Sequence, residues 1–285
     1  MSYYKILGLT KEPFSTSPDP EFFYQSHSHK KALANILMEI RLKRGLSVVL
    51  GDIGTGKTTL SRKLLQLLKA RDGIKPYIIL DPTYNTEYLF LLSLAKTFGV
   101  EINKARPNVL EIKEEIERFV FHKNINENET VVLLIDEAQK INQHSLEVLR
   151  ILLNYETNNA KLLQVVILGQ TELLPCLKQS RNLIDRVSLK CKIDPLTEEE
   201  TREMIRFRLR QAGYQNRDDL FTENSISQIY KYTQGYPRKI SMFCHKTLKL
   251  LVMENKFAVS EKMVEKIVEE EAKFGLEKEN LFHTL

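Results

Sequence analysis

Gly51-Asp52-Ile53-Gly54-Thr55-Gly56-Lys57-Thr58 has the spacing G-x-x-x-x-G-K-[ST], and each fixed position has a task in holding phosphate. The glycines let successive backbone N–H groups turn inward around the β-phosphate of a nucleotide. An amine at Lys57 reaches the β- and γ-phosphates, and the Thr58 hydroxyl ligates Mg²⁺ at the positively polarised start of a helix. The whole stretch Gly51 to Thr58, with Thr59 after it, is therefore expected to bind Mg²⁺-ATP. A glycine-rich turn with no ligand is the alternative, and a strand before the loop with a helix after it argues against that.

A second constellation lies downstream. The apolar run Val131 to Ile135 ends in Asp136-Glu137, which puts Asp136 at the carboxyl end of a buried strand, where open α/β sheets bind ligands. This looks like a Walker B motif: Asp136 would hold Mg²⁺, usually through water, and Glu137 would polarise the attacking water as general base. Gln170 follows another apolar run, Val165 to Leu168, at what would be the sensor-1 position, with its amide expected beside Asp136. Arg186, just before Val187, is a candidate to project into a neighbouring subunit's nucleotide as an arginine finger, with Arg181 as its rival. Gly235-Tyr-Pro-Arg238 opens a helix, proline being tolerated at the first turn, and Arg238 is placed to reach back to the γ-phosphate.

These residues need particular elements to hold them. Short apolar runs rich in β-branched residues predict strands at Leu46–Leu50, Tyr77–Asp81, Val131–Asp136, Gln164–Gln170 and Val187–Ile193, separated by helical stretches. Hydrophobicity that is continuous instead of alternating means both faces are covered, as in a parallel sheet between helix layers. The strand at 77–81 is expected to separate the two motif strands. Leu33, Ile36, Leu37 and Ile40 predict a helix before the first strand, and Leu60, Leu64, Leu67 and Leu68 one over 57–70. Residues 1–24, rich in aromatics and proline, read as an ordered loop.

After Pro195 the strand signals stop. Thr197-Glu-Glu-Glu200 is a capping box, and helices are expected at 198–212, 223–234, 238–254 and 261–274. The expected fold is thus α/β: a three-layer core with a parallel five-stranded sheet over 1–195, including a lead-in segment 1–45, then a helical lid over 196–285.

Composition narrows the class. Among 285 residues, 42% are hydrophobic and 28% charged, with only 11 Gly and 9 Pro, so collagen-like and disordered classes fit badly. The odd, scattered Cys176, Cys191 and Cys244 indicate neither a disulfide framework nor a thiolate zinc site. No apolar stretch approaches the roughly 18 residues that span a bilayer, and a cytoplasmic protein with no transmembrane segment of its own is expected. A net charge of +5 permits contact with nucleic acid without requiring it. Lys5, Lys11, Lys30, Lys31, Arg41, Lys43 and Arg44 make the N-terminal segment basic, which suits either a solvated helix face or a phosphate backbone. Ser26-His-Ser-His29 and Cys244-His245 do not complete a structural zinc set. The amphipathic helix 261–274 is suited to lid packing or to seating a partner, and residues 278–285 are expected to fray.

Gly51–Thr58, Val131–Glu137, Gln170, Arg186 and Gly235–Arg238 stand in the order of Walker A, Walker B, sensor 1, arginine finger and sensor 2 of an AAA+ ATPase. The opening Tyr3-Tyr4, Leu7-Gly-Leu9, Pro13-Phe14, Ser17-Pro-Asp-Pro20, Phe23-Tyr24, Ser26 and His29, followed by Leu152–Glu156, Leu162–Gln170 and Gly235–Arg238, resembles the ExeA-like (general secretion pathway protein A) branch over residues 3 to 270. One departure is Thr171, where that family usually has proline. The resemblance implies ATP hydrolysis by a homo-oligomer, a ring or a filament, in secretion, pilus or other envelope-assembly machinery. Because the membrane span and peptidoglycan-binding domain common in the family are not in this sequence, an envelope role is expected to run through a membrane-bound partner protein. Other stand-alone relatives accompany transposases, so a regulator acting on double-stranded DNA is the alternative. An ATP-binding scaffold without hydrolysis is disfavoured by Glu137.

Overall fold

The computed structural model describes residues 2–102, 106–157, 160–215 and 219–273. Five strands, β1 (Leu46–Gly51), β2 (Ile74–Ile79), β3 (Thr130–Ile135), β4 (Leu163–Gly169) and β5 (Val187–Ile193), form one parallel sheet in the order β2-β3-β4-β1-β5. The helices that accompany them are α1 (Tyr3–Ile6), α2 (His27–Arg41), α3 (Lys57–Lys69), α4 (Glu87–Phe98), α5 (Val109–Ile125), α6 (Gln143–Leu152), α7 (Leu173–Gln179) and α8 (Arg181–Ile184). After the sheet come α9 (Glu198–Gln211), α10 (Glu223–Thr233), α11 (Pro237–Met253) and α12 (Glu261–Lys273).

The chain forms two units. The first holds residues 27–53 and 57–194. Its central strands β3 and β4 are apolar on both faces and buried, as parallel strands under flanking helices must be. On α3, Leu60, Leu64 and Leu68 fall at four-residue spacing and are wholly buried, each contributing about 1.5–3 kcal/mol by leaving water. Side-chain caps fix where the flanking helices begin. Thr86 accepts from Leu89 N–H at the start of α4, Asn108 and Glu111 form a capping box on α5, and Asn142 accepts from Ser145 N–H on α6; such caps contribute about 1 kcal/mol each.

Three details depart from the pattern read in the sequence. The strand expected at 77–81 runs over Ile74–Ile79 and includes Pro76; among the described residues it pairs with β3 alone, and a sheet edge is where a residue without an N–H is tolerated. That strand does not lie between the two motif strands. β4 does, pairing with β1 on one side and β3 on the other. The N-terminal loop also contains the single helical turn α1 and a 3-10 turn at Pro20–Phe22, capped by Asp19.

The second unit holds residues 2–26, 54–56 and 195–273 among those described. The lead-in segment is thus divided, its first part going with the C-terminal helices because Leu9, Phe14 and Phe22 bury in their core with Phe221, Ile229, Phe243 and Leu248. Thr10 N–H donates to the Ala212 carbonyl at 2.8 Å. Arg208, almost fully buried, donates to the Ser15 carbonyl at 3.1 Å and to Ser241 Oγ, and its guanidinium lies over the Phe22 ring. Burial lowers its pKa to about 10. The Thr197–Glu200 capping box forms at the start of α9, Thr222 caps α10 and Pro237 occupies the first turn of α11. The expected frayed end at 278–285 lies outside the described residues.

Gly235 has φ +75°, and a Cβ there would stand 1.9 Å from the Leu196 carbonyl oxygen, which is backbone and cannot rotate away. Leu196 N–H in turn donates to the Gly235 carbonyl at 2.8 Å. A left-handed conformation alone costs a residue with a side chain about 1–2 kcal/mol, and the clash adds to it. Gly235→Ala is expected to lower stability by about 3 kcal/mol or more, read as a reduced midpoint in urea unfolding; a midpoint equal to wild type would refute this.

Candidate nucleotide site

In a parallel sheet all carboxyl ends of the strands face one edge. Register puts Ile135 of β3 opposite Ile167 of β4, and Ile167 opposite Val48 of β1. The residues that follow, Asp136 and Glu137 after β3, Gln170 after β4 and the loop after Gly51, therefore emerge together in the crevice where such sheets take ligands.

The loop from Gly51 to Gly56 turns on two left-handed glycines, Gly54 (φ +83°) and Gly56 (φ +98°). Thr55 is buried, Asp52, Thr58 and Thr59 are half-buried, and the Ile53 side chain is 63% exposed, so Ile53 offers the loop its backbone only. Lys57, the first residue of α3, is buried, and its Nζ donates to the carbonyls of Gly51 at 2.7 Å and Asp52 at 2.8 Å. Burial pushes this ammonium below the usual lysine range, against the pull of Glu137, Asp136, Asp52 and Glu172.

Asp136 is 2% exposed. Its Oδ1 accepts from the Glu137 N–H at 2.9 Å. Ser61 Oγ lies 2.8 Å from its Oδ2 and 2.9 Å from the Thr58 carbonyl, its one proton serving one of them at a time. Burial pushes the Asp136 carboxyl above the usual range, while donors from Ser61, Glu137 N–H and Thr58 pull it back. A phosphate beside Lys57 would reverse the first shift, and a divalent cation between Thr58 and Asp136 the second. Those residues thus fit a nucleotide with its metal.

Glu137 is half-buried and holds a left-handed backbone, φ 51°, a conformation costly for a non-glycine and concentrated where structure serves function. The Gln139 amide bridges this residue to the next strand: its Nε2 donates to Glu137 Oε2 at 2.6 Å, and its Oε1 accepts the Gln170 N–H at 3.1 Å. Gly169 permits the approach, since a Cβ there would stand 3.3 Å from the Gln139 backbone nitrogen and 3.0 Å from Leu173 Cδ2.

Arg186 is elsewhere in this unit. It precedes β5, hence lies at the amino edge of the sheet, about 20 Å along the strand from the carboxyl edge, and its Nη1 donates to the Arg150 carbonyl near the end of α6. Arg181 is exposed at the start of α8. In the helical unit, Arg238 is exposed on the first turn of α11, and its N–H donates to the Gly54 carbonyl at 3.2 Å.

Sequence reasoning misses two residues of the site. Ser61 carries one usable signal, a small polar residue beside Leu60 on the otherwise apolar buried face of α3. Gln139 carries none, since neither its spacing nor its type marks the strand to which it turns.

A family model described as an AAA domain matches residues 40–177. General secretion pathway protein A of Aeromonas hydrophila is 35% identical over 248 residues, covering 86% of this chain. The chain belongs to the ExeA-like family of AAA+ P-loop proteins. This ExeA-like chain spans 44% of that relative's length. Among solved structures it is similar to Drosophila ORC bound to DNA, with a TM-score of 0.69 and 18% identity over 95% of this chain and 66% of the other. Cdc6p of Pyrobaculum aerophilum gives 0.68 and 17% over 90% and 70%. At such identities the likeness is one of fold: the AAA+ core of a parallel five-stranded sheet with flanking helices, followed by a helical region.

Proposed function

We propose that this chain hydrolyses ATP to ADP and phosphate as a Mg²⁺-dependent oligomeric switch in secretion, pilus or envelope-assembly machinery. The observation that carries the reading is the meeting of Lys57, Thr58, Asp136 and Glu137 at one sheet edge, with the buried ammonium and the buried carboxyl each shifted in the sense that a phosphate and a cation would relieve.

The loop N–H groups of Gly51 to Gly56 and the start of α3 cradle the phosphates, with Thr59 behind them. Lys57 turns its Nζ from the loop carbonyls to the β- and γ-phosphate oxygens. Thr58 and Asp136 would hold Mg²⁺, which would supply positive charge against the charge of the phosphates. Glu137 takes the proton of the attacking water, and Gln170 hydrogen-bonds that water or the γ-phosphate. Arg186, at the opposite edge from its own chain's phosphate loop, serves a neighbouring copy's nucleotide, and Arg181 is the alternative on the same surface. Arg238 carries the nucleotide state to the helical unit.

The similarity to a secretion pathway protein favours an envelope process. No helix among the described residues is long and apolar enough to cross a membrane. A membrane-bound partner protein and a cytoplasmic location belong to this proposal. A second reading, a regulator that loads on double-stranded DNA, is favoured by the exposed Lys30, Lys31, Arg41 and Arg44 on and after α2.

The mass distribution of the Glu137→Gln protein with ATP and Mg²⁺ tests both, with and without double-stranded DNA at two salt concentrations. Oligomers that need ATP and ignore DNA are expected. Oligomers that require DNA and weaken steeply with salt would transfer the chain to the second reading, and a monomer under every condition would overturn the switch.

A further inference from the structure

The Glu137 carboxylate does not stand alone in the crevice. Gln139, two residues on and half-buried, donates its Nε2 to Glu137 Oε2 at 2.6 Å and accepts the Gln170 backbone N–H on its Oε1 at 3.1 Å. The orientation of this amide is dictated by its neighbours. A backbone N–H can only donate, so the amide oxygen must face Gln170; a carboxylate can only accept, so the NH₂ must face Glu137. The link thus has one polarity and joins the turn after β3 to the end of β4.

Three further observations fix this geometry. Glu137 carries a left-handed backbone, held by its own N–H donating to Asp136 Oδ1 at 2.9 Å, so its side chain leaves the strand in a direction the turn determines. Gly169 lets the 138–139 backbone come close to β4. Ala138, between the two linked residues, is wholly buried, which anchors the turn from below.

We propose that Gln139 is a positioning residue for Glu137: it occupies Oε2, directs Oε1 toward the water, and ties the carboxylate to the strand end that carries Gln170. This rests on the reading of Glu137 as the general base. A displacement of the Gln170 backbone at the phosphate end would reach Glu137 through the Gln139 side chain.

The test compares Gln139→Met and Gln139→Glu with wild type in steady-state ATP hydrolysis, each also in a Glu137→Gln background, alongside nucleotide affinity and thermal unfolding. The first variant keeps length and removes the polar atoms; the second keeps shape and sets a carboxylate against a carboxylate. Both are expected to hold ATP as wild type does and to lose kcat by about 10- to 100-fold, as misplacing a reacting group does. In a Glu137→Gln background the Gln139→Met change should cost no further kcat, because residues that act as a unit are not additive and the base that Gln139 positions is already gone. A general loss of structure would instead lower affinity and the unfolding midpoint, and would cost kcat in the Glu137→Gln background as well. Wild-type kcat in a folded Gln139→Met protein would overturn the positioning role while leaving the base assignment intact. Absence of turnover in the wild-type protein itself would overturn the hydrolase reading and this inference together.

Discussion

Lys57→Ala abolishes nucleotide binding while the protein stays folded: that is the largest effect expected of any single change in this chain. The ammonium comes from the first residue of α3 and is poised on the Gly51 and Asp52 carbonyls at 2.7 and 2.8 Å, positions it would exchange for phosphate oxygens. Charge-assisted hydrogen bonds contribute about 1.5–3 kcal/mol each, so losing two corresponds to a few hundredfold in affinity or more, and turnover falls with it. Stability should change little, because the substitution also removes a desolvated charge, which offsets the two carbonyl contacts it gives up. Titration with a fluorescent ATP analogue and calorimetric unfolding read the two quantities separately. Wild-type affinity in a folded Lys57→Ala protein would remove this loop from the site.

Glu137→Gln separates binding from chemistry. The side chain is nearly isosteric, its amide oxygen can still accept from Gln139, and the left-handed turn is undisturbed, so the fold and ATP affinity are expected to hold. What disappears is the basicity that accepts the proton of the attacking water, a contribution of about 10²- to 10⁴-fold. Phosphate release should fall by that factor with the nucleotide dissociation constant unchanged. Ordinary turnover would show that another group takes the proton, and weak binding with residual turnover would place Glu137 at the metal instead of at the water.

Both residues are legible in the sequence because their chemistry is encoded in short spans. A phosphate cradle needs its glycines, its amine and its hydroxyl within one loop and one helical turn, and Asp136-Glu137 announces itself by ending an unbroken apolar run. Strand identities follow for the same reason: Val131–Ile135 and Val165–Leu168 are apolar on both faces, a local property of parallel strands. The helices after Pro195 are legible through their caps, Thr197 with Glu200 and Thr222 with Ser225 N–H, since a cap reaches only three residues along the chain.

What joins these pieces is not local. The Ser61 hydroxyl meets Asp136 across 75 positions, and Gln139 meets the Gln170 N–H across 31; no spacing rule spans such gaps, because partners are chosen by which strands lie side by side. The apolar run that becomes β4 carries no sign that it will enter between β1 and β3; Pro76 marks β2 as an edge strand, but nothing in the run says that it pairs with β3. Arg186 shows the same division: its type and place before a strand are visible in the chain, but its seat at the opposite edge from the phosphate loop follows only from the parallel direction of the assembled sheet. Residues 2–26 are divided from 27–45 by where Leu9, Phe14 and Phe22 find apolar cover. The sequence by itself determined the loop, the carboxylates and the elements that carry them, through periodicity and short-range chemistry. The tertiary structure alone decided which side chains stand together, because strand order and burial are properties of the whole packed chain.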